Sequence, residues 1–504
     1  MVVSQHREHN DDQLSDRERG ERERGGRAER LWWMREARFG LFVHWGLYSV
    51  AARHEWVKQR ERLDDAAYQR YFEYFDPDLY DPRRWARLAR QAGMRYAVLT
   101  TKHHEGFCLW NSALTDYKAT NTPAGRDLVL PWVEAFRAEG LKIGFYHSLL
   151  DWHHPEFPID GLHPQRDDEQ AQAAAKGRDV SRYADYLHGQ VRELLTGYGP
   201  VDYLFFDFSY PDRTWGGKGR ADWRSAELLD LIRSLQPDVV VNDRLDLEGD
   251  VVTPEQYQPT SSLADDGRLW EACQTLNGSW GYDRDNLDWK TPDQLIRMLV
   301  DGVSKDGNLL LNVGPTGRGE FEPRAVGTLD AIGRWMDQHA RSVYGAGPAT
   351  YAPPPDTRYT QRGDRLYLHL FAWPFRHVHL QPKFRRIADR KQGIIHLGHV
   401  AEHHVRAQFL AGIDVFVHDR AGQRRAQEID FVGAFIAAAV IGQHRLRPVP
   451  LRQGGQISRF GRFHILGCGG AMFEQLLAAR IGLIRHGQVA HRCARVGKGL
   501  GEIR

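Results

Sequence analysis

Residues 96–107 read YAVLTTKHHEGF, and this stretch shows how the chain is organised. An apolar run over residues 96–100 is followed, after Thr101, by Lys102, His103 and His104. Uninterrupted apolar runs of this length are typical of strands that are buried on both faces of a parallel sheet. The stretch therefore predicts a buried strand whose end carries ionisable side chains.

The same pattern recurs along the chain. Five further apolar runs predict buried strands, at residues 39–43, 143–146, 203–206, 239–241 and 308–313. Amphipathic helices lie between several of these runs, and prolines open them at Pro82, Pro131 and Pro292. This alternation predicts a (β/α) TIM-like barrel. An open doubly wound sheet is the competing architecture, but the glycine-rich nucleotide-binding motifs that often accompany it are absent from the sequence.

Composition excludes several classes of protein. The chain has 504 residues, of which 41% are hydrophobic and 27% charged, so it is neither wholly disordered nor fibrous. Apolar runs stay far short of a membrane span, and the first thirty residues have no apolar signal core, so we expect neither feature. The four cysteines show no CxxC spacing, which favours a reducing, cytoplasmic location. The net charge of +2 favours neither nucleic acid nor membrane partners, and a homo-oligomer is compatible with the sequence.

The two ends of the chain differ from the region between them. Residues 1–30 alternate arginine and glutamate, which predicts a disordered charged tail. We expect the barrel over 31–348 and the start of a C-terminal β domain over 349–380. Residues 381–504 carry 20 Lys and Arg against 8 Asp and Glu, and lack Trp, Tyr and Thr. Three interpretations of this basic region stay open: a product of translation out of frame, a basic module that binds a polyanion, or an ordinary accessory domain.

Catalytic residues of a barrel lie at the C-terminal ends of its strands and in the loops that follow. These positions carry carboxylates, imidazoles and indoles here. Aromatic faces stack on the C–H face of a pyranose, while His and Arg hydrogen-bond its hydroxyls, so the set predicts a sugar site. Its members are His44, Glu55, Trp56, His103, His104, Tyr146, Asp207, Arg244, Glu255, Glu271 and Trp280.

Three carboxylates are candidates for acid, base or nucleophile. Asp207 ends the apolar run YLFF. Burying a carboxylate in such a strand costs free energy through loss of hydration, which makes it an unusual core residue. A catalytic role is therefore favoured over a capping role. Glu255 follows Pro254 and could instead be an acid in the first turn of a helix. Glu271 could instead be a partly buried partner of Arg244. Residue chemistry alone does not separate Glu255 from Glu271 as the second carboxylate.

A metal site is the other chemistry that the histidines suggest. His103 and His104 could bind an ion together with Glu105 or His147. However, adjacent positions on an extended segment point to opposite faces, and no HExxH or cysteine-rich set is present. We therefore expect no metal and no cofactor.

Taken together, these segments resemble the α-L-fucosidases of glycoside hydrolase family 29. The resemblance runs in order from about residue 30 to about residue 350 and implies a barrel that hydrolyses terminal α-L-fucosides with retention. The partner would then be a fucosylated oligosaccharide or glycoconjugate. The segments that carry it are RFGLFVHWGLYSV (38–50), HEWVK (54–58), YAVLTTKHHEGFCLWNSALTDY (96–117), GRDLV (125–129), GFYHS (144–148), YLFFDFS (203–209), VNDR (241–244), TPEQ (253–256), WEACQTLNGSWGY (270–282) and GNLLLNVGPTGRG (307–319).

The resemblance also implies roles for residues. Asp207 matches the nucleophile, Glu255 matches the acid/base of many members, and Glu271 lies where a second acid/base candidate is found. The positions that hold the fucose or wall its pocket are His44, Glu55, Trp56, His103, His104, Tyr146, Phe205, Arg244 and Trp280.

The chain departs from the family pattern at three places. Phe205 stands where many members have Trp, and Phe208 stands where many have Gly. Residues 357–374 look like the opening strands of the usual C-terminal β-sandwich, but nothing from about residue 380 resembles the rest. Two alternatives from other classes remain: a catalytically impaired fucose-binding protein, and a metal-dependent barrel hydrolase that a chelator would inactivate.

Overall fold

The described part of the chain is almost continuous up to its C-terminal region. The computed structural model describes residues 16–372, apart from positions 213, 215 and 264–267, and beyond these only five short strands. The chain forms two compact units, Met1–Arg425 and Ala426–Arg504. The three interpretations of the basic region 381–504 therefore fall largely outside the described residues and stay open.

Eight parallel strands form the (β/α) barrel that the sequence predicts, and the six predicted apolar runs correspond to six of these strands. Strand β1 pairs with both β2 and β8. The two edge strands of the sheet, β5 and β6, are connected by a β-bridge between Asn242 and Val251. The order around the ring is β5-β4-β3-β2-β1-β8-β7-β6. The strands are β1 (Phe39–Val43), β2 (Tyr96–Lys102), β3 (Lys142–Ser148), β4 (Tyr203–Asp207), β5 (Val240–Val241), β6 (Val251–Val252), β7 (Leu269–Thr275) and β8 (Gly307–Val313).

Helices surround the barrel and connect its strands. Short 3₁₀ turns occupy Ala119–Asn121, Asp243–Leu245 and Ala340–Ser342. The α-helices are α1 (Asp16–Ala37), α2 (Tyr48–Ala51), α3 (Val57–Arg60), α4 (Asp65–Glu73), α5 (Pro82–Gln91), α6 (Val129–Ala138), α7 (Glu169–Ala174), α8 (Val180–Gly197), α9 (Arg220–Trp223), α10 (Ser225–Leu235), α11 (Pro292–Val303) and α12 (Pro323–His339).

Local side-chain caps explain where the predicted helices begin. Helix α11 starts at Pro292 because Thr291 and Gln294 form a reciprocal capping box. Helix α6 starts at Val129 rather than at Pro131, because the Asp127 carboxylate accepts hydrogen bonds from the first backbone N–H groups. The proline there lies inside the first turn, where its missing N–H costs nothing.

The prediction of a disordered tail over residues 1–30 is wrong from Asp16 onward. Helix α1 covers Asp16–Ala37, and its side chain Arg27 is buried. Arg27 and Arg30 both contact acidic side chains beside the barrel, and Arg30 donates to the carboxylate of Asp250 at 2.8 Å. The local sequence does not reveal these partners, because they lie more than 200 residues away. Residues 1–15 lie outside the described part.

Two apolar layers hold the barrel together. One lies between the strands and the helices, and the other fills the barrel interior. The interior layer includes aromatic side chains from alternating positions of several strands, and these rings fill the barrel from the first residues of β2 and β4 up toward the C-terminal rim. Those rings are Phe42, Tyr96, Tyr146, Tyr203 and Phe205.

A hairpin follows the barrel. Strands β9 (Thr357–Arg362) and β10 (Arg365–Leu370) pair antiparallel across a turn at Gly363, whose φ of 59° suits glycine. This hairpin stands where the sequence predicts the first strands of a C-terminal β domain. The remaining strands are β11 (His377–His379), β12 (Ile394–His396), β13 (Ile413–Val417), β14 (Pro448–Gln453) and β15 (Gln456–Phe463).

Candidate active site

Asp207 is the last residue of β4, so its side chain lies at the C-terminal rim of the barrel. The residue is only 9% exposed. The Tyr146 hydroxyl donates to Oδ2 at 2.8 Å, and Arg244 donates to Oδ1 at 2.6 Å. These two donors hold the buried carboxylate in one orientation and replace hydrogen bonds that it would otherwise make with water.

Arg244 connects Asp207 to a second carboxylate. It follows β5 in a 3₁₀ turn, and Thr253 fixes its guanidinium through the hydroxyl and the backbone carbonyl. The same nitrogen that reaches Asp207 lies 2.9 Å from Oε2 of Glu255. The two carboxylate oxygens are therefore no more than about 5.5 Å apart, close to the about 5–5.5 Å that retaining glycosidases show.

Glu255 occupies an open position beside this pair. Its side chain is 41% exposed, and its backbone bridges to Cys273 of β7. The described residues 255–263 contain no helix, so the alternative interpretation of Glu255 as an acid in a first helical turn is wrong. The exposure leaves Glu255 free to exchange protons with water while it faces Asp207 across Arg244.

Glu271 lies elsewhere in the barrel. It is fully buried in β7 and accepts hydrogen bonds from the hydroxyls of Tyr96 and Tyr203. Tyr203 begins β4 and Asp207 ends it, a separation of about 13 Å at roughly 3.3 Å per residue. Burial raises the pKa of Glu271 to about 7. The structure thus separates this alternative acid/base from Asp207 and gives it tyrosine partners instead of Arg244.

The hydrogen bonds of His44 at the rim define its tautomer. Asn312 donates through its amide nitrogen to the Trp280 carbonyl, so its oxygen faces Nδ1 of His44 at 2.7 Å. Nδ1 must then carry the proton, which leaves Nε2 as an acceptor. Burial lowers the pKa of His44 well below its usual value, so the ring is neutral.

His104 is oriented in the same way. Ser148 donates its hydroxyl proton to the Leu150 carbonyl and so accepts from Nδ1 of His104 at 2.7 Å. Its Nε2 is left as an acceptor 3.9 Å from Asp207. Burial lowers the pKa of this ring as well.

His103 lies on the same side as His104, contrary to the expectation of opposite faces. The two ring centroids are 4.1 Å apart. Strand alternation does not apply because β2 ends at Lys102 and the chain turns immediately after it. The His103 ring also stacks on Tyr146, with 9° between the ring planes. Its Nδ1 is buried without a hydrogen-bond partner among the described residues.

Glu55 links two loops of the rim. Its Oε2 accepts from the backbone N–H groups of Trp280 and Gly281. Its Oε1 is buried and has no hydrogen-bond partner among the described residues. The nearby Nδ1 of His54 accepts from Trp56 N and has no proton to offer. Burial raises the pKa of Glu55 to about 7.

Aromatic rings wall the pocket. Phe205 is buried, stacks on Tyr146 and carries the Arg244 guanidinium over its face at 5.3 Å. Trp280 packs against His44, with ring centroids 5.2 Å apart. Trp56 packs against His104, with ring centroids 4.9 Å apart. The smaller ring of Phe205 thus still fills the position below the Asp207–Arg244 pair.

Comparison with known proteins identifies the family of this chain. A sequence model of the alpha-L-fucosidase family matches residues 9–341, more than half of the chain. Human tissue alpha-L-fucosidase is 30% identical over 371 residues, which span 68% of this chain and 76% of that protein. The chain belongs to the α-L-fucosidase family.

Solved α-L-fucosidase structures share the fold. Alpha-L-fucosidase isoenzyme 1 from Paenibacillus thiaminolyticus is 49% identical with a TM-score of 0.67, and the match covers 71% of this chain and 86% of that one. A GH29 α-L-fucosidase from Bacteroides thetaiotaomicron, a trapped covalent intermediate with 2-fluoro-fucosyl fluoride, is 29% identical with a TM-score of 0.63, over 70% and 86%. The resemblance and the barrel inferred from the motifs are confirmed.

Sequence reasoning missed several residues of this α-L-fucosidase site. Thr253 contacts Arg244, Asn312 contacts His44, and Ser148 contacts His104. A polar residue inside the buried run of β8 was the available signal for Asn312. Among the described residues, no group of three or more His, Cys, Asp or Glu side chains is placed to hold a metal ion.

Phe208 is a further missed feature, because only its departure from the family pattern was noted. It directly follows Asp207 and has a φ of 77°. This left-handed conformation costs a residue with a Cβ about 1–2 kcal/mol, a cost that glycine avoids. The sequence thus retains a strained residue beside Asp207.

Proposed function

We propose that this chain hydrolyses terminal α-L-fucosides with retention, with Asp207 as nucleophile and Glu255 as acid/base. The observation that carries the proposal is the short bridge from one Arg244 nitrogen to both carboxylates. Such a spacing suits a covalent intermediate, since no water has to fit between the second carboxylate and the sugar. The Bacteroides thetaiotaomicron relative trapped as a covalent intermediate supports the same chemistry.

The first step forms an ester. A carboxylate oxygen of Asp207 attacks the anomeric carbon of the fucose while the bond from that carbon to the leaving oxygen breaks. Glu255 gives its proton to the leaving oxygen. In the second step Glu255 takes a proton from water, which attacks the same carbon and releases Asp207. Glu255 can regain its proton between cycles because its side chain reaches solvent.

Neutral imidazoles suit the recognition of fucose hydroxyls. His44 and His104 each offer an Nε2 acceptor, because Asn312 and Ser148 hold the other nitrogen. The buried Oε1 of Glu55 is a further polar atom that a hydroxyl can satisfy. The substrate-binding positions inferred from the resemblance thus present acceptors, which matches a ligand rich in O–H donors.

Turnover of 4-nitrophenyl α-L-fucoside by the purified chain tests the proposal. We expect release of nitrophenol that EDTA does not change, since the proposed chemistry uses only carboxylates. Asp207→Ala should lose nearly all turnover. Glu271→Gln is the matched control, because it alters a buried carboxyl of the same barrel away from Asp207, and it should keep turnover. Normal activity of Asp207→Ala, or loss of wild-type activity in EDTA, would overturn the proposal.

We also propose a reducing location. Cys108 and Cys273 are buried and unpaired within the described part of the chain. Burial raises the pKa of the Cys108 thiol and keeps it unreactive. In the same part, none of the helices is long and apolar enough to cross a membrane.

A further inference from the structure

Phe208 has a backbone that its own sequence does not favour. With a φ of 77° it occupies the left-handed region, where glycine is easier to place. A strained residue next to a reactive carboxylate is an observation from which a functional role can be inferred. The role must come from the side chain, since glycine would make the same turn without strain.

The Phe208 ring lies at the boundary between the histidine wall and an open cavity. Its centroid is 5.2 Å from that of Trp56 and 5.2 Å from that of His104. The ring is only half-buried by these contacts. Its remaining surface lines a cavity of about 430 Å³ that also contains Asp207 and Glu255. A volume of this size is typical of small-molecule sites.

The cavity combines one aromatic side chain with polar groups. Of its eight lining residues, all within the described chain, Phe208 alone is apolar. A flat ring surrounded by hydrogen-bonding groups is what a pyranose needs, since one face of the sugar is C–H and its edge is hydroxyl. The lining residues are Asp207, Phe208, Ser209, Asp243, Arg244, Asp246, Thr253 and Glu255.

The charges of the cavity are unbalanced. Four of its lining residues are carboxylates and one is an arginine. Arg244 already contacts Asp207 and Glu255, so Asp243 and Asp246 add negative charge that this guanidinium does not contact within 4 Å. A cavity with an excess of one sign of charge repels ligands of the same sign.

We propose that this cavity is the subsite for the leaving group and that it takes an uncharged pyranose stacked on the Phe208 ring. A leaving sugar that carries a sulfate or carboxylate is disfavoured by Asp243 and Asp246. The inference rests on the proposed function, because the presence of Glu255 in the cavity is what marks it as the leaving-group side.

Comparing two substrates of different leaving-group size tests the role of Phe208. The leaving group of α-L-fucosyl fluoride is a single atom, whereas that of a fucosyllactose is an uncharged sugar. In Phe208→Gly, the ratio of kcat/KM for fucosyllactose to that for the fluoride should fall about tenfold, as expected for a lost stacking contact. Phe208→Tyr should restore the ratio, and Phe208→Leu should not.

The outcomes separate this inference from the proposed function. An equal fall for both substrates in Phe208→Gly would mean that the ring only supports the fold, and the inference would be wrong. A wild-type chain that cleaves neither substrate would instead overturn the proposed function itself. A ratio unchanged by Phe208→Gly would also contradict the inference.

A sulfated fucosyllactose tests the role of charge. The wild-type chain should cleave it about tenfold less efficiently than the uncharged form at low salt, with the difference shrinking as salt screens the carboxylates. Asp246→Asn should narrow the difference, because its amide oxygen can still accept from Arg220 N while the charge is gone. Equal cleavage of both forms by the wild type would overturn the preference for uncharged leaving groups.

Discussion

The hydroxyl of Tyr146 controls the orientation of Asp207. It donates to Oδ2 at 2.8 Å, while its ring packs on Phe205 and His103. Tyr146→Phe keeps the packing and removes one hydrogen bond to a charged group, which should lower kcat/KM about 10- to 100-fold. The melting temperature should change little. Tyr359→Phe is the control, since its buried hydroxyl has no hydrogen-bond partner among the described residues. Equal activity of both variants would contradict the role of Tyr146.

Glu271 makes stability depend on pH. Burial raises its pKa to about 7 from the ordinary glutamate value of 4.5, and hydrogen bonds from its two tyrosine partners only partly oppose this rise. Between pH 4.5 and about pH 7, the folded state keeps a proton on Glu271 that the unfolded chain has lost. The free energy of unfolding therefore falls as the pH rises through this range and stays lower above it. Relative to the Glu271→Gln variant, the wild type should lose up to about 3 kcal/mol of its free energy of unfolding between these two pH values.

Denaturation of both proteins at about pH 5 and about pH 8 measures this difference, and all other titrating groups cancel in the comparison. Glu55 also has a raised pKa but is present in both proteins. The prediction would be contradicted if the difference in free energy of unfolding between the two proteins were the same at both pH values, or if it changed in favour of the wild type at high pH.

At the level of elements, Asp250 holds helix α1 and helix α10 to the barrel. It is buried and receives Arg30 from α1 at 2.8 Å and Arg233 from α10 at 2.7 Å. Asp250→Asn removes the charge that both guanidinium groups need and should destabilise the fold by about 3–5 kcal/mol in urea denaturation. Glu248→Gln alters an exposed partner of Arg27 and should cost less than about 1 kcal/mol. Similar costs for the two variants would show that α1 is not anchored at Asp250.

The elements that sequence reasoning recovered share a local signal. Strand β1 has the predicted limits because its apolar run is unbroken and buried throughout. Strand β7 was missed because Glu271 interrupts its apolar pattern, and that charge is tolerated only through contacts with Tyr96 and Tyr203. Helix α1 was missed for the same kind of reason, since its partners are distant in sequence.

The site was predictable to a similar extent. Parallel strands place their C-terminal ends together, so Asp207 and His44 could be predicted as neighbours from the chain alone. Choosing between Glu255 and Glu271 depends on which residues of β7 point inward and on how far the following loop reaches. Those facts arise only when the barrel closes, and no local pattern carries them.

For the whole molecule, the hydrogen bonds and ion pairs described for the catalytic carboxylates and histidines lie between His44 and Asn312. The barrel closes through the pairing of β1 with β8, and the hairpin β9–β10 follows it. A chain ended after residue 372 should therefore keep the kcat/KM of the full-length chain for 4-nitrophenyl α-L-fucoside. A truncated chain that is soluble and folded by circular dichroism but inactive would show that later residues complete the site.

The central claim is that Asp207 is the nucleophile and Glu255 the acid/base of a retaining fucosidase. Azide rescue of Asp207→Ala and Glu255→Ala, with the anomeric form of the fucosyl azide read by NMR, tests it most directly. Azide should replace the missing nucleophile in Asp207→Ala and give the β-L-azide, and should attack the covalent intermediate in Glu255→Ala and give the α-L-azide. The reverse pattern, or rescue of Glu271→Ala in place of Glu255→Ala, would contradict the account.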